Sequence, residues 1–223
     1  MVRKTKADAL VTRQLLIDTA IEQFASRGVS NTTLTDIADA AGVTRGAIYW
    51  HFSSKAELFN EMWKLQIPLR DIIHHKMIHD EKENALAWLR EAFVAALQYI
   101  SENPKQRALM QILYHKCEFN NEMMPEAEIR QHLCFSYDNM RKIVELCVRQ
   151  GSLPANTHIE ITLVILHSFF SGVLKNWLLF PERINLYQQA PELVDNIMAT
   201  LHPHSAVWPI RNDLTTVHSQ PGL

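Results

Sequence analysis

The stretch Thr32–Lys55, TTLTDIADAAGVTRGAIYWHFSSK, leaves this chain few ways to fold. Thr33 stands where a hydroxyl caps a helix running from about Thr35 to Ala41. Gly42 follows as the turn residue, where a positive φ is easiest. Thr44 can cap a second helix that ends near His51. Ser54 and Glu57, three apart and ahead of Leu58, Met62 and Leu65, read as a capping box that opens a further helix. Upstream, Leu10, Ile17, Ala20, Ile21 and Phe24 recur at helical spacing from about Asp8 to Arg27, and Gly28 supplies a left-handed stop. Ile37, Ala38, Ala41, Val43, Ile48 and Phe52 are spaced to pack the two short helices on that first one, and Ala38, Ala40 and Ala41 allow close approach. The spacing of Trp50 puts it near the same apolar seam.

What faces outward is Thr33, Thr44, Arg45, Gly46, Ala47, Tyr49, His51 and Lys55. A helix–turn–helix presents its second helix to the major groove of double-stranded DNA. Arg45 can bind a guanine edge in two places or clamp a phosphate. Gly46 and Ala47 leave room for a groove wall or a thymine methyl. Tyr49 and His51 can donate to phosphates, and Lys55 meets the backbone beyond the helix. An ordinary three-helix unit with a polar face has the same periodicity. Charge does not separate the two readings: the chain carries a formal net charge of −2. Residues 1–64 hold 8 Lys/Arg and 7 Asp/Glu, a net of +1, and the remainder is net −3. The local asymmetry is Arg3, Lys4 and Lys6, a basic arm able to reach phosphates.

Beyond residue 55 the pattern stays helical. Apolar residues make up 47% of the 223, enough for a sizeable core, and only six are glycine. Pro68 is expected to kink the fourth helix, which continues to about His79, with the polar run Asp80–Asn84 as linker. Further amphipathic helices are expected near 84–101, 104–117, 124–150, 157–180 and 187–202. Breaks fall at Asn103–Pro104, Pro125, Gly151–Pro154 and Pro181. This predicts an all-α chain: a DNA-binding domain over 8–55, a helical domain over 56–202, and a mobile tail over 203–223. Cys117, Cys134 and Cys147, without CxxC spacing, predict free thiols in a reducing compartment. No apolar region follows the N-terminal basic residues, so no signal peptide is expected. The apolar window Ile161–Phe180 contains His167, Lys175 and Asn176, costly in lipid, so a core or interface helix in a cytoplasmic protein is expected.

Enzymatic chemistry finds little support. There is no P-loop, GxSxG or GxGxxG. His115 and Cys117 are two apart and cannot meet on a helix. His75 and His79 share a helix face with His74 nearby, but no clear third metal ligand accompanies them. No metal or other cofactor is expected. A helical protein-interaction adaptor is the remaining alternative to a DNA-binding regulator.

The segments TTLTDIADAAGV and TRGAIYWHFSSKAELF resemble the helix–turn–helix of TetR-family transcriptional repressors. RKTKADALVTRQ, IYWHF, ILYHKCEFNNEM and the NWL at 176–178 are similar to the AcrR-type repressors of multidrug efflux pumps, nearest their AcrS (EnvR) branch. The resemblance is dense over residues 1–65, looser to about 200 and absent in the tail. It implies an all-helical homodimer that binds operator DNA and releases it when a hydrophobic small molecule enters the second domain. It places DNA contacts at Thr33, Thr44, Arg45, Gly46, Tyr49, His51 and Lys55, with Ala47 and Trp50 also at contact positions.

Pocket candidates are aromatic: Trp63, Trp88, Phe93, Tyr99, Tyr114, Phe119, Phe169, Phe170 and Trp177, with Trp63 foremost because the fourth helix joins pocket to DNA head. Met77, Met110, Met123 and Met124 add adaptable surface. The AcrR-type pattern carries an acid one turn after the helix-4 Trp; here that position is Ile67, beside Pro68, with Asp71, Glu118 or Glu122 as substitutes. The helices 161–180 and 186–201 are the expected dimer elements, and Ser168 and Gly172, four apart, give one a small-residue face.

Overall fold

A computed structural model describes residues 6–74, 77, 80–133 and 135–201. Arg3, Lys4, His75, His79, Cys134 and the tail 203–223 lie outside the described residues, and with them the expected basic arm and most of the histidine cluster. The described residues are all-helical: α1 Lys6–Arg27, α2 Leu34–Ala40, α3 Arg45–His51, α4 Lys55–Lys64, α5 Leu69–Ile73, α6 Ala85–Glu102, α7 Pro104–Gln111 running into a π-helical turn Ile112–Lys116, α8 Glu126–Leu133, α9 Tyr137–Arg149, α10 Ile159–Leu179 and α11 Leu186–Thr200.

Short polar side chains set many of these starts by accepting a backbone N–H two or three residues inside the helix. Thr33, Thr44, Ser54, Asn84, Asn103, Ser136 and Asn185 all do so. Gly42 turns the chain between α2 and α3 at φ 66°. α2 and α3 pack on each other and on α1, around Leu16, Ile17, Ala20, Ile21, Phe24, Ile37, Ile48 and Phe52. Leu10, expected in that seam, is 62% exposed, because the first turns of α1 project past the helices it packs on.

One apolar core runs through both ends of the chain. α6 is its hub, flanked by α5, α7, α9 and α11, while α10 packs on α7, α9 and α11. α1 also rests on α7 and the π-turn, so the N-terminal helices are seated directly on the second half.

Two expected helices are broken. α4 stops at Lys64 and α5 starts at Leu69, instead of one kinked helix reaching His79. Pro68 has no N–H to give the Lys64 carbonyl and biases Ile67 away from helical backbone. Other groups take up carbonyls near the break. The Gln66 amide donates to the Met62 oxygen, and His132 Nε2 lies 2.9 Å from the Gln66 oxygen. The helix expected over 124–150 divides into α8 and α9, with the Ser136 hydroxyl accepting from Asn139 N to start the second.

α10 carries an outward apolar stripe: Ile161, Val164, Ile165 and Leu179 are 39–55% exposed, and Ser168 lies between them. A Cβ at Gly172 would meet nothing within 4 Å. α10 is also the one described helix long and apolar enough to cross a membrane, yet Leu163, Leu166, Phe170 and Leu174 are buried against its neighbours.

Candidate nucleic-acid interface and internal cavity

α3 is anchored through one face and free on the other. Ile48 is fully buried, while Arg45, Gly46, Tyr49 and Trp50 are exposed and Ala47 and His51 half-buried. The Thr44 hydroxyl accepts from Ala47 N at 3.2 Å, which fixes the first turn. The Arg45 guanidinium lies over the Tyr49 ring, 5.5 Å from its centroid, so a cation and an aromatic hydroxyl are presented as one unit. Gly46 has an ordinary negative φ and open space at its missing Cβ, so it serves close approach rather than a turn.

Trp50 departs from its expected packing place. It is 73% exposed and meets the His51 ring edge-on at 4.6 Å, which adds it to the outward face. Two of the eight expected contact residues, Thr33 and Lys55, also make hydrogen bonds within the fold. Thr33 forms a capping box with Asp36: its hydroxyl donates to Asp36 Oδ2 at 2.6 Å, and Asp36 N donates back to it. That hydroxyl, then the Thr33 N–H, holds the Asp36 carboxyl below its ordinary value. Lys55 Nζ donates to the Val29 oxygen at 2.7 Å, tying the start of α4 to the α1–α2 connection.

Arg13 is a basic residue that the outward-face pattern did not single out. Its guanidinium donates to Glu61 on α4 at 2.6 Å and lies 5.0 Å from the Phe52 ring centroid. It stitches α1 to α4 and to the end of α3. The hydrogen bond from Arg13 holds the Glu61 carboxyl below its usual range.

In the second half, the α8–α9 break opens a cavity of about 190 Å³. Phe93 of α6, Arg130 and Gln131 of α8, Phe135 and Ser136 of the turn, Tyr137 and Met140 of α9, and Leu166, His167, Phe170 and Ser171 of α10 line it. Phe93 and Phe170 stack at 5.5 Å, and Phe135 meets both edge-on. Tyr137 stacks on His167 with centroids 3.8 Å apart. His167 Nε2 is buried and makes no hydrogen bond among the described residues. Burial, and then the Arg130 charge, push the His167 pKa down, so the ring is neutral at physiological pH. Arg130 bonds Glu126 Oε1 through Nε at 2.7 Å and lies 4.5 Å over the Tyr114 ring.

Of the pocket candidates read from the sequence, Phe93 and Phe170 line this cavity, whereas Trp63, Ile67, Asp71, Tyr114, Phe119 and Trp177 do not. Trp63 is fully buried in a ring cluster with Phe59, at 5.9 Å, and Phe119 meets Phe59 edge-on at 6.1 Å. Ile67 and Asp71 are exposed beside the α4–α5 break. Tyr114 sits one layer behind, under Arg130. Trp177 packs under Arg107 and flanks two open surface grooves. The alternative acids Glu118 and Glu122 are exposed. The Cys117 and Cys147 thiols are pushed up to about 11, chiefly by burial, which keeps them protonated at neutral pH. His115 is used structurally, with Nε2 2.9 Å from the Lys175 oxygen. No group of residues able to hold a metal occurs among the described residues.

Residues 16–62 match the family model for bacterial regulatory proteins of the tetR family, and residues 84–203 that for the C-terminal region of MAATS-type transcriptional repressors. The chain is 48% identical over 203 residues to the "Probable acrEF/envCD operon repressor" of Escherichia coli strain K12, covering 91% of this chain and 92% of that one. It is 37% identical over 195 residues to the HTH-type transcriptional regulator AcrR of Shigella flexneri, covering 87% and 91%. Among solved structures, NalD, the secondary repressor of the MexAB-OprM multidrug efflux pump in Pseudomonas aeruginosa, superposes with a TM-score of 0.71 at 29% identity over 91% of this chain and 100% of that one.

Proposed function

The chain belongs to the TetR family of transcriptional repressors, an AcrR-type, non-enzymatic DNA-binding regulator, and we propose that as a homodimer it represses the operon of a multidrug efflux pump. TetR-family repressors bind operator DNA and act as dimers. The single observation that carries the reading is α3: one buried isoleucine fixes a helix whose Arg45, Gly46, Tyr49 and Trp50 all face outward. On this reading residues 8–55 are the reading head and 56–202 the effector and dimer domain. The efflux target is supported by what NalD represses.

The two reading helices of the dimer enter successive major grooves, about 34–36 Å apart. Thr44, Arg45, Gly46, Ala47, Tyr49, His51 and Trp50 meet the DNA there. Thr33 and Lys55 act mainly by holding α2 and the start of α4 in place. The dimer forms through the α10 stripe of Ile161, Val164, Ile165, Ser168, Gly172 and Leu179, paired with its symmetry mate. A hydrophobic effector enters the cavity between α6, α8, α9 and α10, and shifts the two heads out of register. Binding of operator DNA places the protein's work in the cytoplasm.

The test is fluorescence anisotropy on DNA flanking the gene. Arg45→Ala and Tyr49→Ala are expected to lose at least tenfold in operator affinity, while helix content and the dimer persist. Wild-type affinity in both variants sinks the proposal and returns the adaptor reading.

A further inference from the structure

We infer that the cavity selects a compact planar aromatic molecule bearing an acidic group, a phenol or a carboxylate, over a cation. This rests on the effector reading above and goes further by fixing the chemistry of the ligand.

Size and shape come first. A dry cavity of about 150 Å³ holds one benzene ring, so 190 Å³ suits one substituted ring or two fused rings. The stacked Phe93–Phe170 pair and the edge of Phe135 favour a flat occupant. Charge comes next. Among the described residues no Asp or Glu lines the cavity, and Arg130 is the charged one that does. A cation would lose its water beside a guanidinium with no counter-charge on the wall. Glu126, the acid nearest to hand, already holds Arg130. An arriving acidic group shares Arg130 with it and gains a charge-assisted hydrogen bond. The third feature is His167 Nε2, buried and without a hydrogen-bond partner among the described residues. As one tautomer it accepts from a phenol, and as the other it donates to a carboxylate. Tyr137, stacked on His167, is exposed at this wall, so the acidic end lies on the Tyr137 side.

The test compares three probes of one shape on the full-length protein by calorimetry: 2-naphthoate, 2-naphthylmethanol and 2-naphthylmethylammonium. The naphthoate should bind at least tenfold more tightly than the ammonium, with the alcohol between. Arg130→Gln should cost the naphthoate at least tenfold and leave the alcohol within about threefold, and Arg130→Lys should keep the preference. His167→Phe should weaken naphthoate and alcohol alike. Ser171→Phe, which puts a ring into the cavity, should abolish binding of both. Melting curves identify any variant that fails to fold; if Arg130→Gln does, Arg130→Lys and His167→Phe still carry the test. An ammonium that binds as tightly as the naphthoate overturns the inference. So does wild-type protein that binds none of the three, or naphthoate binding that survives Ser171→Phe. Operator anisotropy in the same titration separates the two readings. Naphthoate that fills the cavity without changing operator affinity removes the effector role and leaves the ligand class standing. A cation that releases DNA from wild type but not from Ser171→Phe does the reverse.

Discussion

Ile48 and Trp50 stand two residues apart on α3 and do opposite things. Ile48 is fully buried, and Trp50 is 73% exposed. Truncating Ile48 to Ala leaves a cavity in the three-helix core and should cost about 2–4 kcal/mol in denaturant unfolding. Trp50→Ala should change stability by no more than about 0.5 kcal/mol, as surface substitutions do, yet lower operator affinity at least tenfold by anisotropy. The acids near the head make a second, independent prediction. The Thr33 hydroxyl holds Asp36 down, the Ser53 hydroxyl holds Glu57 down, and the Arg13 hydrogen bond holds Glu61 down. Their ordinary values are 3.8, 4.5 and 4.5, so the unfolded chain takes up protons first as pH falls. The stability they add is full above about pH 5.5 and is lost as pH drops through 4.5 and below. Melting temperature should fall over that window, and Asp36→Asn with Glu57→Gln should flatten the fall. Thr33, Thr44 and Ser54 were readable as caps because each cap is settled within four residues. Trp50 was not, because a seven-residue helix gives an apolar side chain too few neighbours in sequence to show which face it takes.

Among the elements, local signals located most helix starts, Pro68 set the α4–α5 break, and tertiary contacts decided the α8–α9 break. Asn103–Pro104 and Gly42 announce themselves in the sequence. Apolar periodicity, by contrast, runs on through Leu133, Phe135 and Met140, so 124–150 read as one helix. The chain breaks there because Phe135 of the turn packs in against Phe93 and Phe170, a contact with two other helices that no local spacing encodes. Trp63, Phe119 and Trp177 share their aromatic type with Phe93 and Phe170, and type cannot tell a ring that fills the core from one that lines a cavity. The Ser136 cap is what starts α9 after the break. Ser136→Ala should cost about 1 kcal/mol of stability. It should also loosen the Tyr137–His167 stack, read as faster amide exchange confined to the first turn of α9. Equal protection in wild type and variant would show that packing alone holds the break.

For the molecule as a whole, the proposed effector role requires that an occupied cavity be felt at α3, which it does not touch. Arg130 lines the cavity and lies over Tyr114, and Tyr114 belongs to the π-turn Ile112–Lys116. π-turns recur at functional sites because their ladder is already irregular. The Lys116 oxygen accepts from Val29 N at 2.8 Å, and the Val29 oxygen accepts from Lys55 Nζ. Val29 therefore joins the π-turn to both the α1–α2 connection and the start of α4, and Lys105–Asp18 adds an ion pair between α7 and α1. On the proposed effector role, a ligand that draws Arg130 from Tyr114 would release the π-turn and, through it, the seat of the head. Coupling between two sites is typically about 1–3 kcal/mol, or 5–150-fold, and is reciprocal. Tyr114→Leu keeps the bulk of the core but removes the ring under Arg130. It should bind ligand and operator separately with near-wild-type affinity, while ligand weakens operator binding less than about threefold, and operator weakens ligand binding by the same small factor. Full coupling in that variant would move the route to α4. There the Asn60 side chain accepts from Met124 N at 2.6 Å and donates to the Glu122 oxygen. Asn60→Ala would then be the substitution that uncouples ligand from DNA.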